Sequence, residues 1–254
     1  MKKSIIDIKV LLIIPCYNEE LRLKTELFIQ FKKNNPNIHF LFVDDGSHDT
    51  TPDILKDLCT KMQHSNFLRL DNNIGKAEAI RTCILGLKND TKNYDFIGYF
   101  DADLSTPLEE VNDFLRVIEK NPTTLFVMGS RISRLGSNII RKKRRHYLGR
   151  VFATVVSITI KEKIYDSQCG AKLIKSLYIQ KLFEDKFTSK WLFDVELIIR
   201  WNIYNPNTNK SIYEHPLKKW SEVSGSKLKI KDFLSAPFEL LSIWIKYRKH
   251  LRTI

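Results

Sequence analysis

Four short apolar runs divide the first hundred residues, each cut off by polar residues and separated from the next by a helical pattern. Val10-Leu11-Leu12-Ile13-Ile14 stops at Pro15, and His39-Phe40-Leu41-Phe42-Val43 stops at Asp44-Asp45-Gly46-Ser47. Phe67-Leu68-Arg69-Leu70 and the run from Asp95 to Phe100 follow. Unbroken apolar runs of this length suit strands buried on both faces. Between them, Glu19 to Lys33 places Leu21, Leu23, Leu27, Phe28 and Phe31 at roughly helical spacing. Asp49-Thr50-Thr51-Pro52 opens a second helix with cap residues and a first-turn proline. Asn73 to Leu87 and Pro107 to Lys120 read as two more helices. Such alternation predicts an α/β fold, a parallel, doubly wound sheet with helices on both faces. Ligands of such sheets bind beyond the carboxyl ends of the strands.

Each strand end is polar: Tyr17-Asn18-Glu19, Asp44-Asp45-Gly46-Ser47, Asp71-Asn72-Asn73 and Asp101-Ala102-Asp103. The last is chemically the most demanding. Residues i and i+2 at a strand end point the same way. Paired carboxylates repel unless a cation lies between them. A hard divalent ion holding a diphosphate is the expected occupant. Asp44 and Asp45 can accept from the donor edge of a uracil or guanine ring or from a ribose hydroxyl, although Asp45-Gly46 is also a turn signal. Gly75-Lys76 starts a helix, where N–H groups favour anions and the lysine adds a point charge for phosphate. Arg81, further along, reads equally as a ligand or a solvated face residue.

The second half is less regular. Leu125-Phe126-Val127-Met128 reads as a strand ending at Gly129-Ser130-Arg131. The basic run Arg141-Lys142-Lys143-Arg144-Arg145, a helix from about His146, the loop Asp166-Ser167-Gln168-Cys169-Gly170 and a helix around Trp191 to Trp201 follow. Lys and Arg total 42 against 29 Asp and Glu, a net charge of +13, which favours anionic partners. Cys16, Cys59, Cys83 and Cys169 lack zinc or redox spacing and read as free thiols in a reducing compartment. Neither Val10 to Ile14 nor Val151 to Ile160 is long enough for a signal core or a bilayer span. The expectation is a cytoplasmic chain whose membrane contact is peripheral.

Taken in order, the motifs Ile14-Pro15-Cys16-Tyr17-Asn18-Glu19-Glu20, Val43-Asp44-Asp45-Gly46-Ser47, Asn73-Ile74-Gly75-Lys76-Ala77, Asp101-Ala102-Asp103, Gly129-Ser130-Arg131, Asp166-Ser167-Gln168-Cys169-Gly170 and Trp191-Leu192-Phe193-Asp194-Val195-Glu196-Leu197 form a set. The set resembles the family 2 inverting glycosyltransferases of GT-A fold, over roughly residues 8 to 230. Within them it is most similar to the polyprenyl-phosphate branch, the dolichyl-phosphate glucosyl- and mannosyltransferases. The Trp191 to Leu197 segment looks like the β-glucosyl type. The resemblance implies a Rossmann-like mixed sheet in one GT-A domain, residues 1–230. A nucleotide-sugar half (about 8–125) precedes an acceptor half (126–230). It implies inverting transfer of a hexose, glucose favoured, from UDP-glucose or alternatively GDP-mannose. The acceptor would be a dolichyl or undecaprenyl phosphate, for glycan or cell-envelope polysaccharide synthesis.

The resemblance also assigns roles. Pro15, Tyr17 and Glu19 would surround base and ribose, Asp44 would read the base, and Gly75 and Lys76 would meet the diphosphate. Asp103 would bind Mg²⁺ or Mn²⁺, with Asp101 on ribose or metal-bound water. Ser105 stands where mannosyl relatives often carry Gln; it is a weaker ligand and leans away from that branch. Gln168 would lie near the sugar, and Arg131 and Arg150 would take the acceptor phosphate, ahead of the basic run. Asp194 is the candidate base, or else an orienting group, because a phosphate acceptor is already ionised. With Leu197 and Ile198 on its helix face it reads as an unpaired carboxylate with a raised pKa, while Glu196 can pair with Arg200. A glycan hydroxyl is the alternative acceptor. A phospho-acceptor signalling domain and a basic nucleic-acid binder are the readings from other classes; the leading one includes no nucleic acid.

Residues 231–254 read as a basic amphipathic helix. Phe233, Leu234, Phe238, Leu240, Leu241, Ile243, Trp244, Ile245 and Tyr247 lie beside Lys246, Arg248, Lys249 and Arg252. Such a helix either lies on the anionic inner face of a membrane or packs on the core.

Overall fold

The computed structural model describes residues 4–141, 143–205, 211–223 and 230–251. Strands β1 (Val10–Cys16), β2 (Ile38–Asp44), β3 (Ser65–Arg69) and β4 (Phe96–Tyr99) alternate with helices α1 (Thr25–Asn34), α2 (Thr51–Lys61) and α3 (Lys76–Leu87). Next come α4 (Glu110–Lys120), β5 (Phe126–Ser130), β6 (Asn138–Ile140), α5 (Lys143–Ile160), β7 (Lys172–Lys175), α6 (Ser176–Phe183) and α7 (Phe193–Tyr204). Strands β8 (Ile212–Pro216) and β9 (Lys219–Ser221) and helix α8 (Ile230–Leu251) complete the order.

Seven strands form one sheet in the order β3-β2-β1-β4-β7-β5-β8. β1 to β4 are parallel, with Ile13 opposite Leu41 on one side and Tyr99 on the other. Side chains alternate across β1 as strand geometry requires. Leu11 and Ile13 enter a core with Ile80 of α3, Val156 of α5, Ile179 of α6, Val195 of α7 and Ile243 of α8. Val10, Leu12 and Ile14 enter the opposite core with Phe28 of α1, Leu55 of α2 and Phe114 of α4. The result is the expected mixed sheet between two helical layers. All four cysteines are free thiols.

Two helix starts differ from the sequence reading. The first helix starts at Thr25, not Glu19, and Leu21 is exposed. The backbone N–H of Glu19 is held by the Thr51 hydroxyl (2.7 Å), so residues 19–24 turn before the helix begins. The third helix starts at Lys76, because Gly75 at φ 91° cannot be helical. Strand β7 was not anticipated. It runs antiparallel to both neighbours, with Tyr99 of β4 and Met128 of β5 opposite Lys172. β6 and β9 make a separate parallel pair.

The terminal helix packs on the core along one face only. Leu240, Ile243, Tyr247 and Leu251 are buried, whereas Phe238, Leu241 and Ile245 are exposed. Val151, Val155 and Ile158 of α5 are exposed too. The side chains of Phe233 and Leu234, and Arg252 altogether, lie outside the described residues, as do the side chains of Lys142 to Arg145. Among the described residues, no helix is long and apolar enough to cross a membrane.

Candidate active site

Sheet polarity places the site. β1 and β4 deliver their carboxyl ends to one edge, and β5 and β8, parallel to them, do the same. The reversed β7 delivers its amino end there, and with it the loop 166–170. A cavity of about 480 Å³ lies where these ends meet.

The first half contributes Pro15, Tyr17, Glu19, Gly75 and Lys76 to the wall, as the sequence suggested. Asp44 is a correction. It does not line the cavity, its side chain is fully buried, and it accepts the Ser47 N–H (3.1 Å) and pairs with Arg69 (3.4 Å). The acid on the wall is its neighbour Asp45, which accepts the N–H groups of Ile74 (2.8 Å) and Gly75 (2.9 Å) and so fixes the start of α3. Burial pushes the Asp45 carboxyl up, and those two hydrogen bonds offset it only in part. Arg81 belongs to structure: it bonds Glu78 (3.2 Å) and the Glu184 carbonyl (2.7 Å).

Asp101 and Asp103 both line the cavity. Asp101 pairs with the Lys76 ammonium. Burial works to lower the Lys76 pKa, but Asp101, Asp194 and Asp103 outweigh it and hold the amine above an ordinary lysine. Gly170 backs this pair: a Cβ there would stand 1.8 Å from Asp101 Oδ2. Asp103 accepts the Ser105 N–H (3.0 Å), and among the described residues it has no ion pair.

From the second half come Arg131, Arg150, Gln168 and Asp194. Arg131 forms a two-pronged pair with Asp166, through Nε (2.6 Å) and Nη2 (2.7 Å), and lies 5.4 Å from the centre of the Trp220 ring. Burial would raise the Asp166 carboxyl, but Arg131 brings it down to about 2. Glu214 fixes the same loop by accepting the N–H groups of Tyr165 (2.9 Å) and Asp166 (2.6 Å). Arg150 stacks on Tyr165 at 3.4 Å and donates to its carbonyl (3.2 Å). The Gln168 amide nitrogen is buried on the cavity wall with no hydrogen-bond partner among the described residues. Buried donors are nearly always matched, which makes this one an exception at the cavity wall.

Asp194 corrects a second expectation. Its carboxylate is not unpaired: Oδ1 accepts the Tyr99 hydroxyl and lies 2.7 Å from the Lys172 ammonium. Both partners come from the sheet beneath α7, out of reach of an argument confined to one helix face. Glu196 does pair with Arg200 (3.0 Å), and also meets Lys246 (2.9 Å) and Tyr247 (2.8 Å) of α8.

The family model described as Glycosyl transferase family 2 matches residues 11–183. This chain belongs to glycosyl transferase family 2. Among curated relatives, a dolichyl-phosphate beta-glucosyltransferase of Dictyostelium discoideum is 30% identical, covering 96% of this chain and 78% of its own. One from Trichomonas vaginalis is 28% identical, covering 99% and 79%. Among solved structures, glucosyl-3-phosphoglycerate synthase of Mycobacterium tuberculosis, in complex with Mn²⁺, UDP and glucosyl-3-phosphoglycerate, superposes with a TM-score of 0.67. It is 11% identical and covers 96% of this chain and 84% of that one. That likeness establishes the GT-A fold.

As a family 2 glycosyltransferase the chain is an enzyme, and the phospho-acceptor and nucleic-acid readings have no support. The sequence reading missed Asp166, Tyr99 and Lys172 as site-building residues. A lysine inside the run Ala171-Lys172-Leu173-Ile174 was the signal for the last. A second acidic group, Glu110, Asp113 and His215, brings its ligand atoms within 4.8 Å of one another. None of the three lines the cavity. Glu110 accepts the N–H groups of Lys218 (2.9 Å) and Lys219 (3.1 Å), and Asp113 pairs with Lys218 (2.8 Å) and Arg116. These contacts tie α4 to the segment joining β8 and β9.

Proposed function

We propose that this glycosyltransferase moves glucose from UDP-glucose to a polyprenyl phosphate with inversion, using Mg²⁺ or Mn²⁺ at Asp103 and Asp101. The observation that carries the reading is that an acidic pair and three cationic side chains share one cavity. Asp101 and Asp103 stand on one wall with Lys76, while Arg131 and Arg150 stand on the same cavity from the acceptor half. The names of the relatives supply the glucose and the lipid phosphate. The donor set, two carboxylates with Asp103 free of any ion pair among the described residues, fits a hard cation. When bound, such an ion neutralises the departing diphosphate as a Lewis acid.

The chain's own residues do the rest. Tyr17 and Glu19 offer an aromatic face and a carboxylate to base and ribose. Lys76 and the N–H groups at the start of α3 face the diphosphate. Gln168 donates its unmatched amide to the sugar or the acceptor. Arg150, stiffened by Tyr165, and Arg131, held by Asp166, orient the acceptor phosphate for in-line attack at C1. That phosphate is already ionised near neutrality, so Asp194 acts mainly as an orienting carboxylate. The exposed apolar residues of α5 and α8, on a chain of net charge +13, rest on an anionic membrane surface where such an acceptor resides.

Calorimetric titration of UDP-glucose, GDP-mannose and their diphosphates, with and without Mn²⁺, tests the donor and the metal. Asp103→Ala should abolish the Mn²⁺-dependent part of UDP binding. Unchanged Mn²⁺ dependence would remove Asp103 from the metal site. Extraction of labelled product into organic solvent separates a lipid acceptor from a glycan.

A further inference from the structure

The start of β7 holds a cation where a doubly covered strand ordinarily carries an aliphatic side chain. Lys172 has 0% exposure and lies between Tyr99 of β4 and Met128 of β5. Taking an ammonium out of water costs several kcal/mol unless its protons are matched. Here all three are. Nζ reaches the carbonyls of Ser167 (3.0 Å) and Cys169 (2.8 Å) and Asp194 Oδ1 (2.7 Å). The carbonyls belong to the loop that sets Gln168 on the cavity wall and Gly170 against Asp101. The carboxylate belongs to α7. Tyr99, the cross-strand partner, donates its hydroxyl to the same Oδ1. A methionine would fill the volume but would leave the buried carboxylate without its cation and two loop carbonyls without this donor.

We infer that Lys172, assisted by Tyr99, is a positioning residue for the transfer step. Neither lines the cavity, and the contact that both share with a lining residue is Asp194 Oδ1. Two donors on Oδ1 hold the carboxylate in one rotamer, and the lysine's other bonds lock that rotamer to the loop bearing Gln168. Movement of the loop would break the two carbonyl bonds and movement of α7 the bonds to Oδ1, so the lysine ties the loop and α7 to one relative geometry. The inference rests on the reading of Asp194 as the orienting carboxylate, and the test separates the two.

The experiment compares the parent with Asp194→Asn, Lys172→Met, Tyr99→Phe and the two doubles carrying Asp194→Asn. The readouts are kcat with UDP-glucose and a short-chain polyprenyl phosphate, and calorimetric binding of UDP with Mn²⁺. Lys172→Met should lower kcat by about tenfold or more, with UDP affinity within about twofold of the parent, as expected for a misplaced group. Tyr99→Phe should show a smaller loss of the same kind. In the Asp194→Asn background each substitution should cost less than about threefold more, because groups acting through one residue are non-additive. Parent-like kcat in Lys172→Met, or equal losses in both backgrounds, would overturn the inference. Should Lys172→Met fail to fold, Tyr99→Phe in the two backgrounds decides it, since it keeps the ring and removes one hydroxyl. Parent-like turnover in Asp194→Asn would instead sink the reading of Asp194. A loss there with a parent-like Lys172→Met would sink only the lysine's role.

Discussion

The pair between Arg131 and Asp166 offers a quantitative handle on the cavity wall built by the second half of the chain. In Asp166→Asn, the amide nitrogen must face a guanidinium or the Arg131 backbone N–H, all of which are donors. Asp166 accepts from Arg131 N (3.0 Å), Nε (2.6 Å) and Nη2 (2.7 Å), and from Gln168 N (3.2 Å). Both side chains are largely buried, at 15% and 10% exposure, so solvent does not replace what is lost. Breaking a buried pair from one side costs about 3–5 kcal/mol. A second route gives a similar scale. The fall of the Asp166 carboxyl from 3.8 to about 2 corresponds to about 2.5 kcal/mol, at about 1.4 kcal/mol per unit. Because the folded pKa is depressed, that contribution is complete above about pH 4 and is lost as pH falls toward 2. Urea unfolding of the parent and Asp166→Asn between pH 7 and pH 3 is the assay. The variant should be less stable by about 3 kcal/mol or more at pH 7, and the gap should narrow with acid. A difference under about 1 kcal/mol at neutral pH, or one that does not change with acid, would show that the pair is a solvated contact and refute the reasoning.

Two further outcomes follow from geometry. Gly170→Ala places a Cβ 1.8 Å from Asp101 Oδ2, so the carboxylate must swing away; kcat/KM should fall by about tenfold or more with the melting temperature little changed, and parent-like activity would show that Asp101 tolerates displacement. Replacing Phe238, Leu241 and Ile245 together by Asp should abolish co-sedimentation with phosphatidylglycerol vesicles while leaving UDP binding intact; retained vesicle binding would assign the surface elsewhere.

The parallel half was legible because its signal is local. Runs such as Val10 to Ile14 are too apolar to be anything but buried, and each is followed by polar or turn-forming residues. The cavity wall from Pro15 to Lys76 follows from that pattern. Asp44 lies off the cavity wall because adjacent positions at a strand end point to opposite sides, and the sequence does not tell which of two aspartates faces the cavity. Asp194 was misjudged for a different reason. Its helix neighbours Leu197 and Ile198 are indeed apolar, but its partners Tyr99 and Lys172 lie far away in sequence, on two other elements. Glu196 and Arg200, four residues apart on one helix, were found for the same reason that Lys172 was missed.

The reversed strand gives those misses a common cause. A purely parallel sheet presents only carboxyl ends to its ligand crevice. Inserting β7 antiparallel between β4 and β5 brings an amino end to the same edge, so loop 166–170 sits beside Asp101 rather than across the molecule. Register then opposes Tyr99 and Lys172, whose polar tips meet on Asp194. A four-residue strand with a lysine at each end carries little local propensity for this position, and its pairing is supplied by neighbours on both sides. The two halves of the chain are therefore joined through β7, and at that seam the fold buries the cation that pairs with Asp194.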